Sequence, residues 1–85
     1  QIAGQELSIG KYYMEKDQVL AAIGRYRVVV EKYFMTAYHE EGLFRLFEAY
    51  TILGVNQKSR AYYKQLGRSY PNSPWIEKAE NTKSF

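Results

Sequence analysis

His39 and Asp17 are the residues on which nucleophilic or metal-assisted chemistry would have to be built, and each is alone of its type. The sequence has one histidine, one aspartate and no cysteine. His39-Glu40-Glu41-Gly42-Leu43 begins like the zinc-protease motif His-Glu-x-x-His, but Leu43 stands where the second histidine ligand is required. A single histidine opening an acidic turn reads as a solvated or cap-side residue, and Glu40 and Glu41 read as charges set against a helix N-terminus. Without cysteine there is neither a disulfide framework nor a thiolate metal site, and no glycine-rich phosphate loop occurs. The residue types describe no enzyme, no metal site and no cofactor.

What remains is charge placed for recognition. Residues 57–70 hold Lys58, Arg60, Lys64 and Arg68 with no acid among them. Arg60, Lys64 and Arg68 recur every four residues and so form one stripe if the segment is helical. Like charges at that spacing cost a few tenths of a kcal/mol each, so something is expected to offset them. Two readings follow: acids such as Glu40, Glu41 and Glu48 pair with the stripe, or it docks on an acidic partner surface or anionic lipid headgroups. Arg25 and Arg27 flank Tyr26; with Tyr26 inward, both arginines lean outward, where a planar guanidinium fork suits a carboxylate partner. The net charge of +3 is modest and signs are mixed, as across Arg25–Lys32, which points away from nucleic acid.

The elements that position these residues are helical. Leu7, Gly10, Tyr13 and Met14 are spaced by three and four, as are Val19, Ile23, Tyr26, Val29, Val30 and Tyr33, and again Leu43, Leu46, Phe47, Tyr50 and Leu53. The breaks predict five helices near 3–15, 18–33, 37–53, 57–70 and 74–81. Asp17, Thr36, Asn56 and Ser73 are the expected N-caps, Gly54 the expected helix stop, and Pro74 sits at a first helical position. Links of two to four residues make neighbours antiparallel.

The sequence also repeats at an offset of 37. Tyr13 falls on Tyr50, Ala22 on Ser59, Tyr26 on Tyr63, Val29 on Leu66, Tyr33 on Tyr70, Thr36 on Ser73 and Tyr38 on Trp75. One helical hairpin cannot bury its own apolar stripe, so hairpins stack and each covers the next. The expected repeat core is Ile9, Gly10, Tyr13, Ala22, Tyr26 and Val29, then Leu46, Tyr50, Ser59, Tyr63 and Leu66, with Trp75 capping the last hairpin. Gly24, inside the second helix, costs on the order of 1 kcal/mol against alanine, and a close crossing helix is expected there in compensation. The fold expected is all-α, an α-α superhelix of five antiparallel helices. The 85 residues make one domain: a unit at 3–36, a second at 37–73, the start of a third at 74–81, and a frayed tail at 82–85.

These positions resemble the tetratricopeptide signature. In the second unit Phe47 replaces the small residue that is Gly10 in the first, Phe34 stands where a closing proline is usual, and 37 exceeds the standard period of about 34. A narrower resemblance lies in Gly10-Lys11-Tyr12-Tyr13, Ala21-Ala22-Ile23-Gly24-Arg25-Tyr26, Glu48-Ala49-Tyr50, Leu53-Gly54, and Leu66-Gly67 through Tyr70-Pro71-Asn72-Ser73-Pro74-Trp75. Together these are similar to the BamD (ComL) family, lipoproteins of the outer-membrane β-barrel assembly machinery, over nearly the whole chain and matching the family's C-terminal portion.

The resemblance implies a lipid-anchored scaffold on the periplasmic side of the Gram-negative outer membrane. Its C-terminal repeats would dock POTRA domains of the barrel-forming subunit BamA and, in some species, smaller assembly lipoproteins. It places an arginine commonly at the Arg25 position, near the docking surface. The expected partner-binding residues are Arg25, Arg27, Arg60, Lys64 and Arg68. No apolar run reaches the roughly 20 residues of a membrane helix, so membrane contact would come through an anchor outside these residues. Gln1 opens the chain with no signal-peptide pattern, which reads as a processed piece. A homo-oligomer through the end faces of the stack is a further expectation. The alternative is a periplasmic module of the CpoB type, gripping an extended peptide in the groove between the first and third helices; Phe44, Phe47 and Tyr12 are expected to fill that groove in part.

Overall fold

The computed structural model describes residues 2–85. It contains α1 (Ile2–Glu15), α2 (Val19–Lys32), α3 (His39–Leu53), α4 (Asn56–Ser69) and α5 (Pro74–Thr82). The chain is all-α, and consecutive helices pack as antiparallel pairs in the manner of tetratricopeptide hairpins.

The 37-residue periodicity reappears as a repetition of backbone hydrogen bonds. At the end of α1, Gln18 N–H donates to Tyr13 O (2.9 Å) and Asp17 N–H to Met14 O (3.0 Å). At the end of α3, Val55 N–H donates to Tyr50 O and Gly54 N–H to Thr51 O, both at 3.0 Å. Both are Schellman closures, which need one left-handed residue. Gly54 supplies it with φ 77° and Asp17 with φ 60°. Asp17 is therefore the residue that stops α1, not the N-cap of α2; Gln18 holds that position without a side-chain bond. A left-handed aspartate costs about 1 kcal/mol, a strain its counterpart Gly54 avoids. Asn56 is likewise the first residue of α4, with Val55 at the N-cap.

The other pair of turns also matches. Thr36 N–H donates to Tyr33 O and Ser73 N–H to Tyr70 O. Thr36 Oγ1 accepts from Tyr38 N–H (3.3 Å), as Ser73 Oγ does from Trp75 N–H (3.1 Å). Ser73 is thereby the N-cap of α5, as expected. Thr36 is not the N-cap of α3: Tyr38 holds that position without a side-chain bond, and Thr36 braces the turn that precedes it.

Two apolar clusters hold the layers together. Leu7, Ala22, Ile23, Tyr26, Val29, Leu46 and Ala49 form one, with Tyr13 and Tyr50 half-buried against it. Leu43, Phe44, Phe47, Leu66 and Ala79 form the other, joined by Tyr63 and Trp75. Gly10 is buried because a Cβ there would lie 2.4 Å from the Tyr26 ring. Ile9 is half-buried. Ser59 is fully buried; its hydroxyl shares a hydrogen bond with that of Thr51, and both lie within reach of Phe47 O, Thr51 at 2.8 Å and Ser59 at 3.4 Å.

Two further expectations are corrected. No helix crosses close to Gly24: nothing lies within 4 Å of a Cβ built there, and the residue is exposed. Nor is the tail frayed. The Phe85 ring lies edge-on to Phe47 (6.4 Å) and Tyr63 (5.6 Å), Ser84 Oγ donates to Asn56 Oδ1, and the Arg60 guanidinium sits 4.9 Å from the Phe85 ring.

Candidate functional site: charged surfaces of the helical stack

The arginines of α2 fall on different partners. Arg25 Nη1 bonds Glu6 Oε1 of α1 at 3.0 Å, and its side chain keeps 41% exposure, so much of the guanidinium fork stays open. Arg27 Nε bonds Glu31 Oε2 one turn on, at 2.9 Å, on the open surface. Between them Tyr26 is fully buried, as inward packing requires.

The α4 stripe is exposed at Arg60, Lys64 and Arg68. Among the described residues neither these nor Lys58 forms an ion pair. Of the three acids offered as their partners, Glu41 and Glu48 are committed elsewhere, and Glu40 forms no ion pair among the described residues. Glu41 accepts from Lys11 Nζ (2.7 Å) and Arg45 Nη2 (2.9 Å), and Glu48 accepts from Arg45 Nη1 (3.2 Å). Arg25 and Arg27 share no bonded partner with the α4 stripe.

The Lys11–Glu41–Arg45–Glu48 network is the site that residue types alone did not single out. Its helical part was visible as acids four residues before and three after Arg45; the reach of Lys11 from α1 required the crossing of α1 and α3. Arg45 is further fixed by lying 5.1 Å from the Trp75 ring and 5.4 Å from that of Phe44. Trp75 stacks obliquely on Phe44, 5.0 Å between centroids.

Arg45 and Glu48 line two shallow cavities on the face shared by α1, α3 and α5. One, of about 390 Å³, lies towards Lys11, Met14 and Ile52 with Tyr26 at its floor. The other, of about 310 Å³, lies towards Trp75, Lys78 and Asn81. Of the three aromatics expected to fill this groove, Phe44 lines its second cavity; Phe47 is fully buried in the second cluster and lines neither cavity, and Tyr12 is exposed and lines neither. The Tyr26 hydroxyl is buried and has no hydrogen-bond partner among the described residues. Burial raises its pKa to about 12, the nearby Arg45 lowering it only in part, so it stays a neutral donor.

His39 is cap-side, the first residue of α3, and is not solvated. It is buried, its Nδ1 lies 2.8 Å from the Tyr70 hydroxyl, and burial lowers its pKa. Among the described residues no three His, Cys, Asp or Glu side chains converge as metal ligands.

Burial opposes ionisation of Glu41, yet the hydrogen bonds from Lys11 and Arg45 and their charges more than offset it and hold the pKa below the ordinary 4.5. A depressed carboxylate pKa stabilises the fold above its unfolded value, and that stability is lost as pH falls through the folded pKa. Glu41→Gln is expected to cost about 1–2 kcal/mol at neutral pH and to flatten the acid limb below about pH 4.5. Urea unfolding of both proteins between neutral pH and about pH 3 measures it; parallel pH profiles would show that Glu41 adds nothing.

The residues match a family model, YfiO, described as an outer membrane lipoprotein, over positions 1–66. The chain is 41% identical over 75 residues to the outer membrane protein assembly factor BamD of Caulobacter vibrioides, covering 88% of this chain and 25% of that protein. It is 40% identical over 78 residues to the same-named protein of Rickettsia prowazekii, covering 92% and 31%. Identity to that of Neisseria meningitidis serogroup A is 33% over 78 residues, covering 92% and 29%. The chain thus spans a quarter to a third of the length of these relatives. No solved structure matches it.

Proposed function

The chain belongs to the YfiO (BamD) family of outer membrane lipoproteins, non-enzymatic assembly scaffolds, and from that premise we propose that it docks POTRA domains of the barrel-forming subunit BamA on the periplasmic side of the outer membrane. The observation that carries the reading is Arg25. Its guanidinium is tied by one nitrogen to Glu6 and still substantially exposed, so it is oriented before a partner arrives. A fork held this way loses less entropy on meeting a carboxylate. Arg27, two residues on and braced by Glu31, extends the same helix's polar surface. Smaller assembly lipoproteins would be accommodated by the remaining polar surface.

Arg25→Glu is expected to weaken binding to the periplasmic region of the barrel-forming subunit by about tenfold or more, with the larger effect at low salt. Calorimetry or surface plasmon resonance reads this directly. Unchanged affinity would remove Arg25 from the interface.

A second reading, capture of an extended peptide by a module of the CpoB type, is supported by one feature. The groove of α1, α3 and α5 is walled by Lys11, Arg45, Glu48, Lys78 and Asn81 and floored by Tyr26, whose hydroxyl has no partner among the described residues. Arg25 is not among the residues lining that groove, so peptide capture would survive Arg25→Glu while POTRA docking would not.

A further inference from the structure

We propose that the outward face of α4 is an electrostatic contact for an anionic phospholipid surface, made by Arg60, Lys64 and Arg68. The inference rests on membership of an outer membrane lipoprotein family, not on the identity of the docking partner.

Three observations converge on it. First, the stripe is cationic along its whole length: positions 56–69 contain no acid, and a repeat of four residues sets successive charges about 6 Å apart along one side of the helix. Second, the charges have no counter-charge in the fold. No carboxylate among the described residues forms an ion pair with them. Glu41 and Glu48 of α3, which could have done so, are bound to Lys11 and Arg45, and Arg60 meets the uncharged Phe85 ring. Third, the face has no anchor of the kind a protein interface uses. None of the large exposed hydrophobic residues lies within 56–69, and Gln57 and Ala61 are the exposed neighbours of the stripe.

The third observation decides between occupants. Protein interfaces have cores rich in aromatic residues and depleted in lysine, and they depend on shape. A row of bare cations without an apolar centre lacks that core, whereas a fluid sheet of phosphates requires only charge. Each lysine or arginine near an anionic bilayer adds roughly fivefold to its partition, fading within a Debye length. A chain already held at a membrane gains this contact at high effective concentration. The Arg60 side chain is braced against Phe85, which fixes part of the stripe in place.

The test uses sedimentation with vesicles of phosphatidylcholine, either pure or containing about a third phosphatidylglycerol, as salt is raised from low ionic strength towards about 0.15 M. The expected result is partition onto the anionic vesicles only, weakening as salt rises. The triple variant R60Q/K64Q/R68Q should lose it by on the order of a hundredfold, with its circular dichroism unchanged because all three positions are exposed. The double variant R60K/R68K should keep it, since a phosphate sheet reads charge and not the guanidinium fork. The proposal is overturned by absence of anionic-vesicle binding, by equal binding of the triple variant, or by loss in the lysine variant. A triple variant that binds vesicles normally but loses affinity for the barrel subunit's periplasmic region would assign the stripe to an acidic protein instead. The vesicle arm is independent of Arg25, so failure of the docking reading and failure of this one are distinguishable.

Discussion

Gly10→Ala is expected to destabilise the chain by about 1–3 kcal/mol, although alanine is the better helix former by about 1 kcal/mol. The added Cβ would stand 2.4 Å from Cε1 and 2.7 Å from Cδ1 of Tyr26. That ring is fully buried between α1 and the first cluster, with Leu7, Ala22 and Leu46 around it, so it has no free direction in which to move. Relief would require α1 and α2 to separate, opening the contact on which the hairpin depends. Gly24→Ala is the control with the opposite sign. Nothing occupies the space around Gly24 and its φ is not positive, so the substitution should stabilise by about 0.5–1 kcal/mol through helix propensity and the unfolded chain. Urea unfolding of the two variants beside the parent protein measures both. If both alanines stabilise, the close contact of α1 and α2 at Gly10 does not exist as described.

These two glycines also show what a sequence can and cannot reveal. Helix positions, the repeat at 37 and the capping role of Ser73 were legible, because each depends on residues near one another in the chain; Thr36 stands two residues short of the N-cap of α3, which is Tyr38. Asp17 was misread as an N-cap: aspartate is commoner at a helix start, and only its repeat counterpart Gly54 signalled a left-handed helix stop. Gly24 was misread because a small residue in a helix marks close packing only if a neighbour crosses there, which local periodicity does not encode. The same limit applies to the charged surfaces. That α4 is cationic follows from composition. That its charges lack partners follows from where α3 turns Glu41 and Glu48, and this in turn depends on Lys11 reaching across from α1. The fate of His39 and of the tail at Phe85 was hidden for the same reason: each found a partner, Tyr70 or Phe47 and Tyr63, brought near only by the folded helices.

Phe47→Ala is expected to cost about 3–5 kcal/mol, the largest effect of any substitution considered, because it empties the centre of the second cluster. Phe47 occupies in the second hairpin the position that Gly10 holds in the first, 37 residues earlier, and the exchange of sizes reorganises everything around it. With glycine at that place Tyr26 sinks to full burial; with phenylalanine the Tyr63 ring is held off, 5.9 Å from Phe47 and half-exposed. Phe47 thereby touches the rings of Phe44, Tyr63 and Phe85, and so joins α3 to α4 and to the C-terminal tail. Stacked hairpins derive stability from nearest-neighbour contacts, so the loss should be uneven. Amide hydrogen exchange should quicken most in α4, α5 and the tail, and less in α1 and α2, which pack through the first cluster. Uniform acceleration along the chain would mean that the two clusters unfold as one unit. An uneven response would place Arg25 and the α4 stripe on parts of the molecule that differ in local stability, so that vesicle contact could be lost with α4 while docking through α2 persists.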